Sequence, residues 1–252
     1  DSLKDVQYLF LTVFNKKKTL SYIKNKYDTS YLGPKYICYL AYYDNKPVAF
    51  YGAIPQKFTS HSSSILVAHA CDSFTLNEFQ KKGLHYNLAV KSYELMKALG
   101  IKMVYAYHSE NTYFSTKKLG WLEHKRIQRF HFKIPTLPLA KGIKKLRLEK
   151  PYQKICSAYL KKYRNLNYNN ISSDKYKQEY NNNFIQYKNS FNDHYFLQLN
   201  NCNFWIKIDA VLHVGFFTSD SDENLKKAIR KLKKIAFLYR NKRNFISSFN
   251  RF

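Results

Sequence analysis

Apolar positions along the chain fall into two periodicities. From Val6 to Tyr27 they recur at helical spacing, at Val6, Leu9, Phe10, Val13 and Phe14, and the segment reads as helical until Gly33-Pro34 breaks it. "KYICYLAYY" and "KPVAFYGAIPQKF" then read as two β runs joined by Asp44-Asn45, a hairpin turn signal. "SILVAHACDSFTL" reads as a third strand. "GLHYNLAVKSYELMKALG" returns to the helical period, with Leu84, Leu88, Leu95 and Leu99 among its apolar positions and Gly100 as C-cap. "KMVYAYHS" is the next strand, "NTYFSTKKLGW" a short helix stopped at Gly120, and "EHKRIQRFHFKI" a further strand. The order helix, three strands, helix, strand, helix, strand predicts an α/β unit around one sheet.

The pattern breaks at Pro135, Pro138 and Pro151, which places a domain boundary there. The expected organisation is a first domain over residues 1–135, a linker and helix over 136–165, and a smaller α/β half over 166–252. Tyr152 to Tyr163 reads as helical. The tail has strand patterns in "HYFLQLN" and "CNFWIKIDAVLHVGFFTS", a basic helix "DENLKKAIRKLKKIAFLYR", and a last short strand in "FISSFNRF". Asp222 and Glu223 suit the positive N-terminus of that helix.

Charge changes the picture more than composition does. Lys and Arg number 43 against 17 Asp and Glu, for a net charge of +26. Such a surface attracts polyanions: nucleic acid, an anionic membrane face or a phosphorylated ligand. The four cysteines are far apart and make no C-x-x-C, which suits buried thiols in a reducing cytosol better than a disulfide frame or a zinc site. The eight histidines show no metal spacing, so no metal is expected. No apolar run is long enough for a membrane-spanning helix, and nothing at Asp1 resembles a signal peptide. The expected location is the cytoplasm, with peripheral contact at the inner membrane face as an extension of it.

The stretch "FTLNEFQKKGLHYNLAV" puts two lysines and a glycine where a strand gives way to a helix. Helix N-termini bind anions, because their first N–H groups are unpaired and point outward. Together with "MVYAYHSENTYF" and the closing Leu119-Gly120-Trp121, the stretch resembles the GNAT N-acetyltransferase superfamily. The nearest group is the bacterial branch with a C-terminal GNAT-like extension, often linked to surface-polysaccharide synthesis. The superfamily signature is a basic or polar residue, two variable positions, Gly, one variable position, then Gly or Ala. It is matched here by Gln80-Lys81-Lys82-Gly83-Leu84-His85. The likeness covers roughly Ile37 to Phe132. "HYFLQLNNCNFWIKID" to "IAFLYR" resembles a second, incomplete half without a glycine loop.

The resemblance implies an α/β (α+β) fold: a mixed, mostly antiparallel sheet flanked by helices, with a second smaller half. It implies acetyl-CoA as acyl donor. The pyrophosphate of coenzyme A would be held by backbone N–H groups from Gln80 through Gly83 and on to Leu84 and His85 at the helix start. Gly83 would let the backbone approach the phosphates, and Lys81 and Lys82 would add charge or reach the ribose phosphate. Backbone groups of Phe74, Thr75 and Leu76 would pair with the pantetheine arm as an extra strand would. Asn111 caps its helix or contacts the cofactor. Two positions depart from the pattern. His85 stands where Gly or Ala is usual, and its ring either crowds the phosphates or points away. Thr116 stands where many members carry a tyrosine acid, which leaves the acid absent or supplied by Tyr113 or Tyr107.

Acetyl transfer to an amine needs a base for the ammonium proton and a group that protonates or stabilises the departing thiolate. Asp72, in the strand before the loop, is the first base candidate. His69 lies three residues earlier, and strand alternation puts it on the opposite face. His108 and Glu110 lie where the next strand ends, across the same cleft. Cys71 has no implied partner and is disfavoured as a nucleophile. The candidate catalytic set is Asp72, Tyr113 and His108.

The leading expectation is a coenzyme A-dependent N-acyltransferase acting by direct attack of a small-molecule amine. The acceptor would be a phosphorylated or nucleotide-linked amino sugar of a surface-polysaccharide precursor. One alternative is a tRNA-dependent aminoacyl transferase of the peptidoglycan type, which the charge favours and the intact loop disfavours. Another is a catalytically inactive basic module that binds membrane or nucleic acid through the tail helix. That helix carries Leu225, Ala228, Ile229, Leu232 and Ile235, which more naturally face a core. An exposed sheet edge would suit a homodimer.

Overall fold

The computed structural model describes residues 2–107, 110–124, 129–133, 143, 146–165, 175–191, 193–208, 212–238 and 245–249. The chain divides into two units, residues 1–124 with 170–180 and residues 125–169 with 181–252.

The first unit opens with α1 (Ser2–Phe14) and α2 (Leu20–Tyr27), two helices where the apolar period suggests one. The break is local chemistry. Asn15 takes a left-handed φ of 51°, three lysines interrupt the period, and the Thr19 hydroxyl accepts from Tyr22 N–H at 3.1 Å to start α2. Next come β1 (Cys38–Tyr43), β2 (Lys46–Thr59), β3 (Ser64–Thr75), α3 (Leu84–Ala98), β4 (Ile101–Tyr105) and α4 (Glu110–Lys118). Asp44 and Asn45, at φ 46° and 59°, supply the two left-handed positions of the β1–β2 turn.

The sheet order is β1-β2-β3-β4, antiparallel except that β4 runs parallel to β3 across α3. Two further strands do not follow the order in which they occur in the chain. β5 (Arg129–Lys133) and α5 (Glu149–Lys161) belong to the second unit, and β6 (Lys177–Gln178) then returns to pair with the far end of β2. Pro55 falls between the end of β1 pairing at Gly52 and the start of β6 pairing at Phe58. Among the described residues no second strand pairs with β2 there, so the N–H that proline lacks is not called on.

Odd positions of β2 face α3, where Ala49, Tyr51 and Ala53 form a core with Leu88, Ala89 and Met96. Even positions face α1 and α2, where the rings of Phe10, Phe50 and Phe74 meet at 4.8–5.2 Å.

In the second unit, α6 (Asn182–Asn189) precedes β7 (His194–Leu199), β8 (Cys202–Ile208), β9 (Leu212–Thr218), α7 (Asp222–Leu238) and β10 (Phe245–Phe249). β7, β8 and β9 are antiparallel, and β10 runs parallel to β9 across α7. This repeats the order β1-β2-β3-α3-β4. The apolar face of α7, through Ala228, Leu232 and Ile235, is buried with Leu197, Phe204 and Ile206.

β5 is hydrogen-bonded to β10, so the strand expected to end the first domain belongs to the second sheet. Residues 175–180, expected in the second half, complete the first. A strand pattern fixes which face is apolar but not which distant edge receives it. Among the described residues no helix is long and apolar enough to cross a membrane.

Candidate active site

β3 matches β2 along its whole length but matches β4 only from Leu66 to His69. Past the His69–Tyr105 pair the two parallel strands fork, and Ala70 to Thr75 have no match on β4. A bulge sits at the fork: Ala53 pairs with Ala70 and Gly52 with Asp72, which leaves Cys71 as the extra residue. Bulges bend a strand and re-aim its side chains. Here the bulge overturns the alternation expected from sequence. His69 matches Ile54 and Asp72 matches Gly52, two residues on one face of β2, so His69 and Asp72 share a face.

On that face the His69 ring stacks on Tyr105, with centroids at 4.9 Å and planes 12° apart, and meets the edge of Tyr107 at 5.3 Å. The Tyr105 hydroxyl donates to the buried Gln56 amide oxygen at 2.6 Å, which fixes the platform under the histidine. Tyr107 is exposed two residues past the end of β4.

Asp72 is not a carboxylate facing solvent. It is ion-paired with Lys26 and accepts the Tyr27 hydroxyl, both from α2. Burial opposes the Lys26 charge, but the Cys71 and Asp72 charges and the hydrogen bond to Asp72 outweigh it and hold the ammonium above its ordinary pKa. Burial, then Asp72, push Tyr27 well above the usual phenol value. Burial and Asp72 also raise Cys71, whose Sγ lies 3.6 Å from the Asp72 carboxylate, and both oppose the thiolate form that a nucleophile needs. Gly52 makes the arrangement possible. A Cβ there would stand 2.8 Å from ring carbons of both Tyr27 and Phe50. Lys26 follows the buried Ile23 by three positions, which puts it toward the inner side of α2, although the sequence does not mark its partner.

Following β3, a single 3₁₀ turn at Asn77–Phe79 leads into the glycine loop. The Gln80 side chain donates to Thr75 O at 3.3 Å and Asn77 Oδ1 at 3.0 Å, so it braces the loop. Lys81 (φ 61°) and Gly83 (φ 77°) are both left-handed. Gly83 is the N-cap of α3, a position where glycine offers no acceptor, and the first turn has no acidic residue. A Cβ at Gly83 would meet nothing within 4 Å, so the glycine is needed for its backbone angle and leaves open space in front of the helix. The Lys82 ammonium lies over the Phe79 ring at 4.8 Å. His85 packs edge-on against Tyr51 of β2 at 5.8 Å, so its ring lies on the sheet side of α3.

α4 follows β4, the other strand of the fork. Thr116 is buried, and its hydroxyl donates to Thr112 O and Tyr113 O at 3.0 and 2.9 Å, which commits it to its own helix. Tyr113, one turn earlier on the same helix face, is exposed. Trp121 Nε1 donates to the Tyr93 hydroxyl at 2.9 Å and ties the Leu119-Gly120-Trp121 segment to α3. Asn111 lies in the first turn of α4, while His108 lies outside the described residues. Among the described residues no three potential metal ligands cluster.

The second unit repeats the fork without the loop. β10 matches β9 only at Leu212–Val214, and Gly215 is the bulged residue opposite Trp205 and Ile206. Its helix, however, starts with Asp222 and Glu223, and the Ser221 hydroxyl already accepts Asn224 N–H at 3.2 Å. Both features oppose an anion there.

No family model matches the chain, and no curated protein sequence does. Similar solved structures include an acetyltransferase from Trypanosoma brucei, at 17% identity and TM-score 0.41 over 52% of this chain and 92% of that one. Another is an aminoglycoside acetyltransferase from an uncultured soil metagenomic sample in complex with sisomicin, at 14% identity and TM-score 0.40 over 53% and 89%. A third is glucosamine-6-phosphate N-acetyltransferase from Arabidopsis thaliana, at 20% identity and TM-score 0.30 over 33% and 56%. At these scores the chemistry is left to be read from the site itself.

Proposed function

We propose that the first unit is a coenzyme A-dependent N-acyltransferase of the GNAT type, which moves an acetyl group to the amine of a small acceptor. The observation that carries this reading is the meeting of the β3–β4 fork with the α3 N-terminus at Gly83. The fork offers an unmatched strand edge, Phe74 to Leu76, to an extended amide-bearing arm. The helix start offers outward N–H groups to a pyrophosphate, with Lys81 and Lys82 beside it.

In this reading the amine attacks the thioester carbonyl, the thiolate leaves, and one proton is lost at nitrogen while one is gained at sulfur. His69 accepts the first proton. It stands at the mouth of the fork with its ring held by Tyr105. Tyr113 donates the second, in place of the committed Thr116. Asp72 positions: its pair with Lys26 pins α2 to β3 beside the reacting centre. The acceptor is a phosphorylated or nucleotide-linked amino sugar, a choice supported by the +26 charge.

The test is calorimetric titration of the full chain with acetyl-CoA and coenzyme A, on the parent and on Gly83→Glu. Binding by the parent that is lost in the variant is expected. A folded parent that binds neither would overturn the reading. Transfer from labelled acetyl-CoA to a panel of nucleotide amino sugars then tests the acceptor, and no transfer to any of them would remove the sugar.

A further inference from the structure

α1 is apolar on both faces. Val6, Leu9 and Phe10 are buried against the sheet. On the outside Tyr8, Leu11 and Phe14, at i, i+3 and i+6, are 40%, 45% and 46% exposed, and Leu20 at the start of α2 is 37% exposed. A surface helix ordinarily turns polar residues outward, and one that is apolar all round is covered on both sides.

Lysines ring this patch. Lys4, Lys16, Lys17 and Lys24 are exposed, and the Lys18 ammonium lies over the Tyr22 ring at 4.3 Å. The acid on α1, Asp5, accepts the Tyr42 hydroxyl at 2.7 Å. Exposed aliphatic and aromatic side chains surrounded by lysines match an anionic bilayer surface. The apolar groups enter the acyl boundary while the ammonium groups stay at the phosphates.

We propose that this end of the α1–α2 hairpin docks the first unit on an anionic lipid surface. The tail helix α7 carries five lysines of its own, but its apolar side chains are spent in the second core, so it presents charge alone. A nucleic acid would use the lysines and leave Leu11 and Leu20 without a role. The proposal stands apart from the acyl-transfer reading. If both hold, the docked face adjoins the fork, because Phe14 packs on Phe74 at 5.3 Å, and an acceptor carried on a lipid phosphate would arrive at the correct side.

The experiment is co-sedimentation of the full chain with vesicles of phosphatidylcholine containing phosphatidylglycerol, and of phosphatidylcholine alone. The parent, Leu11→Ser with Leu20→Ser, Lys16→Glu with Lys17→Glu, and Lys226→Glu with Lys234→Glu on α7 are compared. Anionic vesicles should bind the parent. The two hairpin variants should each bind about tenfold more weakly, and the α7 variant should stay near the parent. In Leu11→Trp, a change at an exposed site, tryptophan emission should shift to the blue on adding anionic vesicles, beyond any shift of the parent. This last readout decides the matter if the serine variant fails to fold. Unchanged binding by the serine variant, an equal loss in the α7 variant, or a Leu11→Trp emission that does not move would reduce the effect to adsorption by charge and overturn the proposal. So would displacement by polyuridylate that the serine changes leave unaltered, which would point to RNA.

Discussion

His69 and Asp72, three residues apart, project from the same face of β3 because Cys71 bulges between them. The pair divides the labour at the fork. His69 is stacked at the mouth, and Asp72 is locked to α2. His69→Gln should therefore lower kcat by about 10²-fold while the chain keeps its fold. Steady-state kinetics and a thermal melt of the variant check the two.

Asp72→Asn should act on stability first. Lys26 and Asp72 side chains are only 17% and 16% exposed, so removing one partner leaves a largely buried charge. Either Lys26→Met or Asp72→Asn should cost about 3 kcal/mol in urea unfolding. The double variant should cost less than the sum, because no charge is left behind. Additive costs would mean that the two do not act as a pair.

Gly52→Ala and Gly83→Ala separate packing from conformation. At Gly52 the new methyl would press on Tyr27 and Phe50 at 2.8 Å, for about 1–3 kcal/mol of destabilisation. At Gly83 it meets nothing, so the cost should be about 1–2 kcal/mol of left-handed strain. Donor affinity should fall at Gly83 and hold at Gly52 in calorimetry at a temperature where both are folded.

Alkaline pH should unfold the chain steeply. Burial raises Tyr51 and Tyr27 far above the ordinary phenol value. Above about pH 10 the unfolded state loses these protons and the folded state keeps them, so stability falls as pH rises. The slope should be about 1.4 kcal/mol per pH unit for each tyrosine. Lys26 has the same sign, since its raised pKa favours the folded state only until pH passes it. Denaturant melts from pH 9 upward, with phenolate absorbance followed alongside, measure the slope (more than two tyrosines' worth is expected, since Lys26 adds to it).

Elements with local causes could be read from the residues. The Asp44-Asn45 turn, the stops at Gly100 and Gly120 and the Gln80–Gly83 loop each depend on a backbone angle that few residues accept. The bulge at Cys71 has no such mark, because an inserted residue looks like one more step of alternation. It alone reversed the relation between His69 and Asp72. Lys26 was hidden for a different reason. A lysine on a helix reads as solvated unless its charge partner, far off in sequence, is known.

The return of β6 to the first sheet and the loss of β5 to the second mean that the backbone passes between the units three times, near residues 125, 170 and 181. During synthesis the first sheet therefore stays one strand short until Lys177–Gln178 has left the ribosome, long after its own helices are formed. A fragment cut anywhere near residue 135 would carry a strand without a partner and lack the one that covers Phe58 and Thr59. The two halves look like a tandem duplication on paper, yet neither can be cloned out by a single incision.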